Sequence, residues 1–161
     1  MTSPKPHSRD LRAGRHSEAG HTYLITAITW KRQAFFADLM LGRLVVNTLR
    51  HQQQAGHVDS LAYVLMPDHL HWLITLHDTT TLARLMHSIK SYSAQRINQA
   101  LRHRGEPIPN GRPVWQSGYH DHALRKEEDL LQVARYVVAN PLRAKLVEKL
   151  GDYPLWDAKW V

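Results

Sequence analysis

His69 and His71 stand one residue apart in the apolar run "YVLMPDHLHWLITL", Tyr63 to Leu76. Side chains alternate across a strand, so the two imidazoles would share one face while Leu70 and Trp72 share the other. Two imidazoles placed that way can converge on a single cation, whereas a bare polar pair in a central strand would be costly to bury. The spacing alone decides nothing. With 12 histidines in 161 residues, about one His-x-His arises by chance, and the chain holds a second, His120-Asp121-His122. Context separates the two. The first pair has an apolar middle residue in a segment expected to be central, which favours a metal pair over satisfied core histidines. The second, flanked by Tyr119 and split by Asp121, fits a surface that faces solvent.

Two histidines still need a third ligand and a reacting group, and "EEDLLQVARYVVANP" offers candidates. Leu130, Val133, Ala134 and Val137 fall on one side of a helix and should pack on the sheet. Asp129, Gln132, Tyr136 and Asn140 form a polar stripe along the flank of that side. Tyr136 and Asn140 lie one turn apart, so a phenol and an amide share an edge. Glu127, Glu128 and Asp129 in the first turn suit the helix dipole, and Pro141 should end the helix just after Asn140. The residues alone leave a second reading open, in which Tyr136 is a boundary aromatic and Asn140 an ordinary residue before proline.

The elements that would position these groups follow from periodicity. "HTYLITAITW", His21 to Trp30, is a strand. Helical spacing of Phe35, Phe36, Leu39, Leu44, Val45 and Leu49 predicts a helix from about Phe35 to Gln54. Strands follow at Val58–Met66 and His69–His77, joined by a Pro67-Asp68 turn. A long helix capped by one of Thr79 to Thr81 buries Leu82, Leu85, Met86, Ile89, Ile97 and Leu101. "GEPIPNGRP" breaks it before a strand near Tyr119–Leu124 and the last helix. The order β-α-β-β-α-β-α predicts an α+β, ferredoxin-like split βαβ antiparallel sheet with helices on one face and a C-terminal helix carrying the tyrosine. Residues 1–20 read as a basic flexible arm with Lys5, Arg9, Arg12 and Arg15. Residues 21–150 form the domain, and 151–161 an aromatic tail of unassigned role.

Composition narrows the class. Lys and Arg number 21 against 14 Asp and Glu, net +7, a balance that favours a polyanionic partner, nucleic acid before membrane. The absence of cysteine excludes a disulfide framework and thiolate chemistry. No stretch approaches a membrane span, and residues 1–20 lack the apolar centre of a signal peptide, so a cytoplasmic protein is expected.

Four segments, "YVLMPDHLHWLITL", "LMHSIKSYSAQRIN", "VWQSGYHDHALRKEEDL" and "ARYVVANPLRAKLV", resemble those of the REP-associated tyrosine transposases, a branch of the single-tyrosine HUH transposases. The resemblance spans most of Tyr63 to Val147. It implies that His69 and His71 are the family's metal-binding histidines and that Tyr136 is its nucleophile. It further implies that Asn140 stands where a metal-site amide or acid is found, although asparagine reaches one methylene less than the glutamine common in the wider family. Tyr119, in a strand-like segment, and Tyr92, mid-helix without a polar partner one turn on, are rival nucleophiles.

The implied activity is that of a metal-dependent endonuclease and strand transferase on single-stranded, hairpin-forming DNA, using Mg2+ or Mn2+ and a 5′-phosphotyrosine intermediate. A free phenol titrates near ~10 and is a poor nucleophile at neutral pH, hence the need for a metal. Neutral histidines are required for metal binding, so activity should fall at acid pH. No P-loop pattern is present, consistent with a reaction that conserves the phosphodiester bond energy. Lys90, Arg96, Arg102, Arg104 and Arg112, with the N-terminal arm, are candidate phosphate contacts, and Trp115 and Tyr119 candidate base-stacking residues. The chain could act as a monomer in cis or a homodimer in trans. The alternatives are a non-catalytic hairpin-binding protein on the same fold and a phosphodiesterase that uses water.

Overall fold

The structure, a computed structural model, describes residues 17–125 and 128–160. The arm proposed for residues 1–20 therefore lies largely outside the described residues. Ser17, at its end, accepts a hydrogen bond from Leu82 N at 3.2 Å.

Five strands form one antiparallel sheet: β1 (Thr22–Ile28), β2 (Val58–Met66), β3 (His69–Leu76), β4 (His120–Ala123) and β5 (Trp156–Ala158), in the order β4-β1-β3-β2-β5. Strands β1 to β4 reproduce the split βαβ arrangement, with β3 inserted between β1 and β2. β3 is the most enclosed strand, which explains why its outward-looking sequence contains almost nothing polar except the two histidines. The tail supplies β5, pairing with β2 through Ala62–Ala158 and Val64–Trp156. It adheres through side chains as well, since Tyr153 and Leu155 are buried.

Helix α1 (Leu39–Gln54) begins later than the spacing predicts. Phe35–Ala37 form a separate 3-10 turn, and Asp38 caps the helix by accepting from Met40 N and Leu41 N. Helix α2 (Leu82–His103) starts at Thr81, whose hydroxyl accepts from Arg84 N. Both pack on the sheet face carrying Leu70, Trp72 and Ile74, in a core that includes Val45, Leu49, Ile89 and Ile97. Trp72 is fully buried there and donates from Nε1 to Ser60 Oγ at 2.8 Å.

Helix α3 (Leu130–Val138) covers the opposite face. Its Ala134 and Val138 pack with Leu61, Ala62, Leu73 and Ala158. Leu73 lies two residues beyond His71, so α3 sits on the face of β3 that carries both histidines. Leu130, expected to be buried, stays at the rim, and Val138 takes its place in the core. The chain does not stop at Pro141. The helix breaks at Ala139, and a further turn, α4 (Asn140–Arg143), continues with the proline buried near its start. Proline is tolerated there because the first turn of a helix needs no partner for its N–H. Among the described residues, no helix is long and apolar enough to cross a membrane.

Candidate active site

His69 and His71 lie half-buried on β3 with ring centroids 4.8 Å apart, edge to face. Each has its Nδ1 engaged. His69 Nδ1 is 2.6 Å from Asp68 Oδ1; a carboxylate only accepts, so His69 donates here, which in the neutral ring leaves the lone pair on Nε2. His71 Nδ1 is 2.9 Å from Thr26 Oγ1, its register partner on β1. An Nδ1–H given to Thr26 leaves Nε2 of His71 equally open. Oxygen partners at one ring nitrogen are what orient imidazoles for a metal at the other.

The loop after β1 holds this corner in place. Buried Thr29 donates from both its N–H and its hydroxyl to the Asp68 carbonyl, at 2.9 and 3.1 Å. Lys31 and Arg32 both occupy the left-handed region, with φ of 51° and 52°, a strain of about 1–3 kcal/mol per residue for side chains other than glycine. That turn aims Arg32 Nη1 at Asp68 Oδ2, 3.3 Å away. Burial pushes the Asp68 carboxyl up, but the hydrogen bond from His69 and the Arg32 pair outweigh it and hold the group below the usual carboxylate value.

His71 behaves differently. Burial, then the neighbouring His69 and the Arg143 guanidinium, push its pKa down to about 4. It is therefore neutral across the physiological range, and its own protonation would lower activity only as pH approaches about 4. The unfolded chain takes up a proton here near the ordinary histidine value of 6.5 while the folded chain does not. Stability is thus retained above about 6.5 and falls as pH drops toward about 4. Proton-coupled NMR of the metal-free protein should place the His71 midpoint near 4; a midpoint above 6 would contradict this environment.

Tyr136 projects from the exposed side of α3 and is 63% exposed. The guanidinium carbon of Arg143 stands 3.9 Å from its ring centroid. Arg143 also lies near enough to His71 to disfavour the imidazolium, so it links the tyrosine edge of α3–α4 to the histidine pair. Asn140 is half-buried between them in sequence, one turn from Tyr136. The three groups are thus spaced i, i+4 and i+7 along the α3–α4 stretch. Pro141 predicts a helix end and so hides Arg143 from the sequence; the i+7 spacing is its available signal. Asp68 was legible as the residue before His69. Thr26 was not, since only strand register brings it to His71.

The other candidates separate into surface and scaffold. Arg96 is exposed beside the Tyr92 ring, and Arg112 stands 5.7 Å from the Trp30 centroid, with Lys31 Nζ 4.5 Å from the same ring. Arg102 is exposed at the end of α2. Arg104 pairs with Asp38. Lys90 donates to the carbonyls of Gln116 and Gly118, tying the 116–118 loop to α2. Tyr119 is half-buried and packs against the core. Trp115 cannot stack on a base: only 5% exposed, it lies 5.3 Å from the Phe36 ring and donates from Nε1 to Ser93 Oγ. The Trp115→Ala protein should be less stable by about 3–5 kcal/mol in urea unfolding, with nucleic-acid affinity of the folded protein unchanged. The pair His120/His122 lies on edge strand β4, where the exposed His122 meets half-buried Glu128 through Nε2 at 3.0 Å. Among the described residues, no group of three or more His, Cys, Asp or Glu side chains could hold a metal.

The profile of the IS200-like transposase family matches residues 18–140. A Haemophilus influenzae protein provisionally described as a REP-associated tyrosine transposase is 26% identical over 101 residues, which cover 60% of this chain and 56% of that protein. The match thus spans little more than half the length of that relative. A solved structure of a REP-associated tyrosine transposase bound to a REP hairpin superposes with a TM-score of 0.64 at 21% identity, covering 88% of this chain and 79% of that one. A crystal structure provisionally described as a transposase from Deinococcus radiodurans gives 0.54 at 22% identity, covering 72% and 87%. At such identities the likeness of the structures establishes the fold.

Proposed function

Since the chain belongs to the IS200-like transposase family, we propose that it cuts and rejoins single-stranded, hairpin-forming DNA through a covalent bond to Tyr136. The observation that carries this reading is the packing of α3: the helix bearing the tyrosine lies on the sheet face that carries His69 and His71.

Two imidazoles with Nδ1 engaged and Nε2 open fit a divalent cation, and the Asn140 amide oxygen is the candidate third donor, a set that suits Mg2+ or Mn2+. A cation held there would act as a Lewis acid on the scissile phosphate. The remaining steps belong to the chain. Asp68 and Thr26 keep the imidazoles oriented, and burial keeps His71 unprotonated. Tyr136 Oη attacks phosphorus; the Tyr–O–P bond forms, the P–O3′ bond breaks, and the 3′ oxygen leaves with a proton taken from water. The phenol proton passes to solvent, which the exposure of Tyr136 permits. The reverse attack by a 3′-hydroxyl rejoins strands and frees the tyrosine.

The REP hairpin bound by the structurally similar transposase indicates the substrate class, a palindromic repeat folded on itself. Arg96, Arg102 and Arg112, exposed in a chain of net charge +7, supply backbone contacts, so affinity should fall steeply with salt. The test is incubation with a library of single-stranded hairpin oligonucleotides, with Mn2+ or Mg2+ and with chelator, read on denaturing protein gels. A metal-dependent protein–DNA adduct supports the proposal. Cleavage without an adduct points to a water-using phosphodiesterase, and binding without cleavage to a non-catalytic hairpin binder.

A further inference from the structure

Arg143 has no role in the functions assigned so far. Its position is well fixed. Pro141 is buried two residues earlier, Arg143 N donates to Ala139 O at 3.1 Å, and Lys145 ends the turn at φ 57°. Among the described residues no carboxylate pairs with the Arg143 guanidinium, whereas Arg32 and Arg104 each have one. What it does meet is the face of Tyr136, at 3.9 Å from the ring centroid, on the helix that packs over the histidine face of the sheet.

A cation beside two imidazoles that would themselves hold a cation is unfavourable unless an anion comes between them. A phosphate oxygen seated there would relieve that repulsion. A guanidinium offers five donors in a planar fork suited to two oxygens of a phosphate, and it can keep one face on an aromatic ring while doing so. From these contacts, and resting on the reading of Tyr136 as nucleophile, we propose that Arg143 is the anion-binding residue for the scissile phosphodiester. It grips the non-bridging oxygens between Tyr136 and His71 and holds the phenol beside the phosphorus it attacks. Charge builds on those oxygens in the transition state, so the contact should strengthen as the Tyr–O–P bond forms.

The test is single-turnover adduct formation on a hairpin oligonucleotide, measured beside hairpin affinity, for wild type, Arg143→Lys and Arg143→Ala. Arg143 is exposed, so both variants should fold, which circular dichroism and melting would verify. Removal of one donor to a developing oxyanion typically costs about 10²–10³-fold in rate, and Arg143→Ala should show a loss of that order with hairpin affinity little changed. Arg143→Lys keeps the charge without the fork and should fall between. Millimolar guanidinium should restore part of the Arg143→Ala rate, while ammonium at the same ionic strength should not. A rate equal to wild type would overturn the assignment. So would a loss that guanidinium does not rescue, or one matched by lost affinity, since either would make Arg143 a structural clamp. If wild type itself forms no adduct while cutting or binding DNA, the tyrosine reading fails and this assignment with it; an adduct in wild type with unaffected Arg143 variants sinks this assignment alone.

Discussion

Tyr136→Phe is expected to abolish the covalent protein–DNA adduct while leaving hairpin affinity and fold intact. The phenyl ring remains available to the Arg143 guanidinium, now 3.9 Å from the ring centroid, so the positioning contact survives and only the attacking oxygen is lost. The ring is 63% exposed, and substitutions at such sites usually change stability by less than about 0.5 kcal/mol. The rate effect should be complete within detection, because neither rival tyrosine stands on the histidine face of the sheet. Tyr92 is exposed on α2, which packs on the other face of the sheet, and Tyr119 lies half-buried against the core on that same side. Denaturing gels with a labelled hairpin would read the result. An adduct persisting in the Phe variant would reassign the nucleophile, and mapping the labelled peptide would say to which residue.

His71→Ala carries the second large effect. His71 is the imidazole held neutral by burial, with a pKa of about 4, and its ring is fixed by Thr26 at 2.9 Å. Lewis-acid stabilisation is worth several kcal/mol, so losing a ligand should cost about 10²–10⁴-fold in adduct formation at fixed metal concentration. Chelator added to wild type should reproduce the loss, and calorimetric Mn2+ binding should weaken in parallel. The paired control is His122→Ala: its ring meets Glu128 at the sheet edge, and its adduct yield should match wild type. Full activity in His71→Ala would remove the histidine pair from the mechanism. On the proposal that Tyr136 serves the histidine face on which its own α3 packs, mixing the Tyr136→Phe and His71→Ala proteins should not restore the adduct. Recovery on mixing would show the tyrosine supplied in trans by a second copy.

Local chemistry in the sequence determined a good deal. Alternation along β3 put His69 and His71 on one face, helical periodicity placed Tyr136 and Asn140 on one edge, and strand and helix order predicted the split βαβ sheet. These are short-range properties, set by backbone period and side-chain polarity. Contacts between distant segments were decided only on folding. Strand register brought Thr26 to His71 across 45 residues, and a strained loop brought Arg32 to Asp68 across 36. The aromatic tail was unreadable alone because β5 is three residues long and gains its partners only from the exposed edge of β2. Trp115 looked available to a base from sequence; the packing of Phe36 and Ser93 around it made it core. Pro141 is the sharpest case. Its missing N–H predicts a helix end, yet burial against the sheet side carries the chain through one more turn, and that turn is what sets Arg143 over Tyr136.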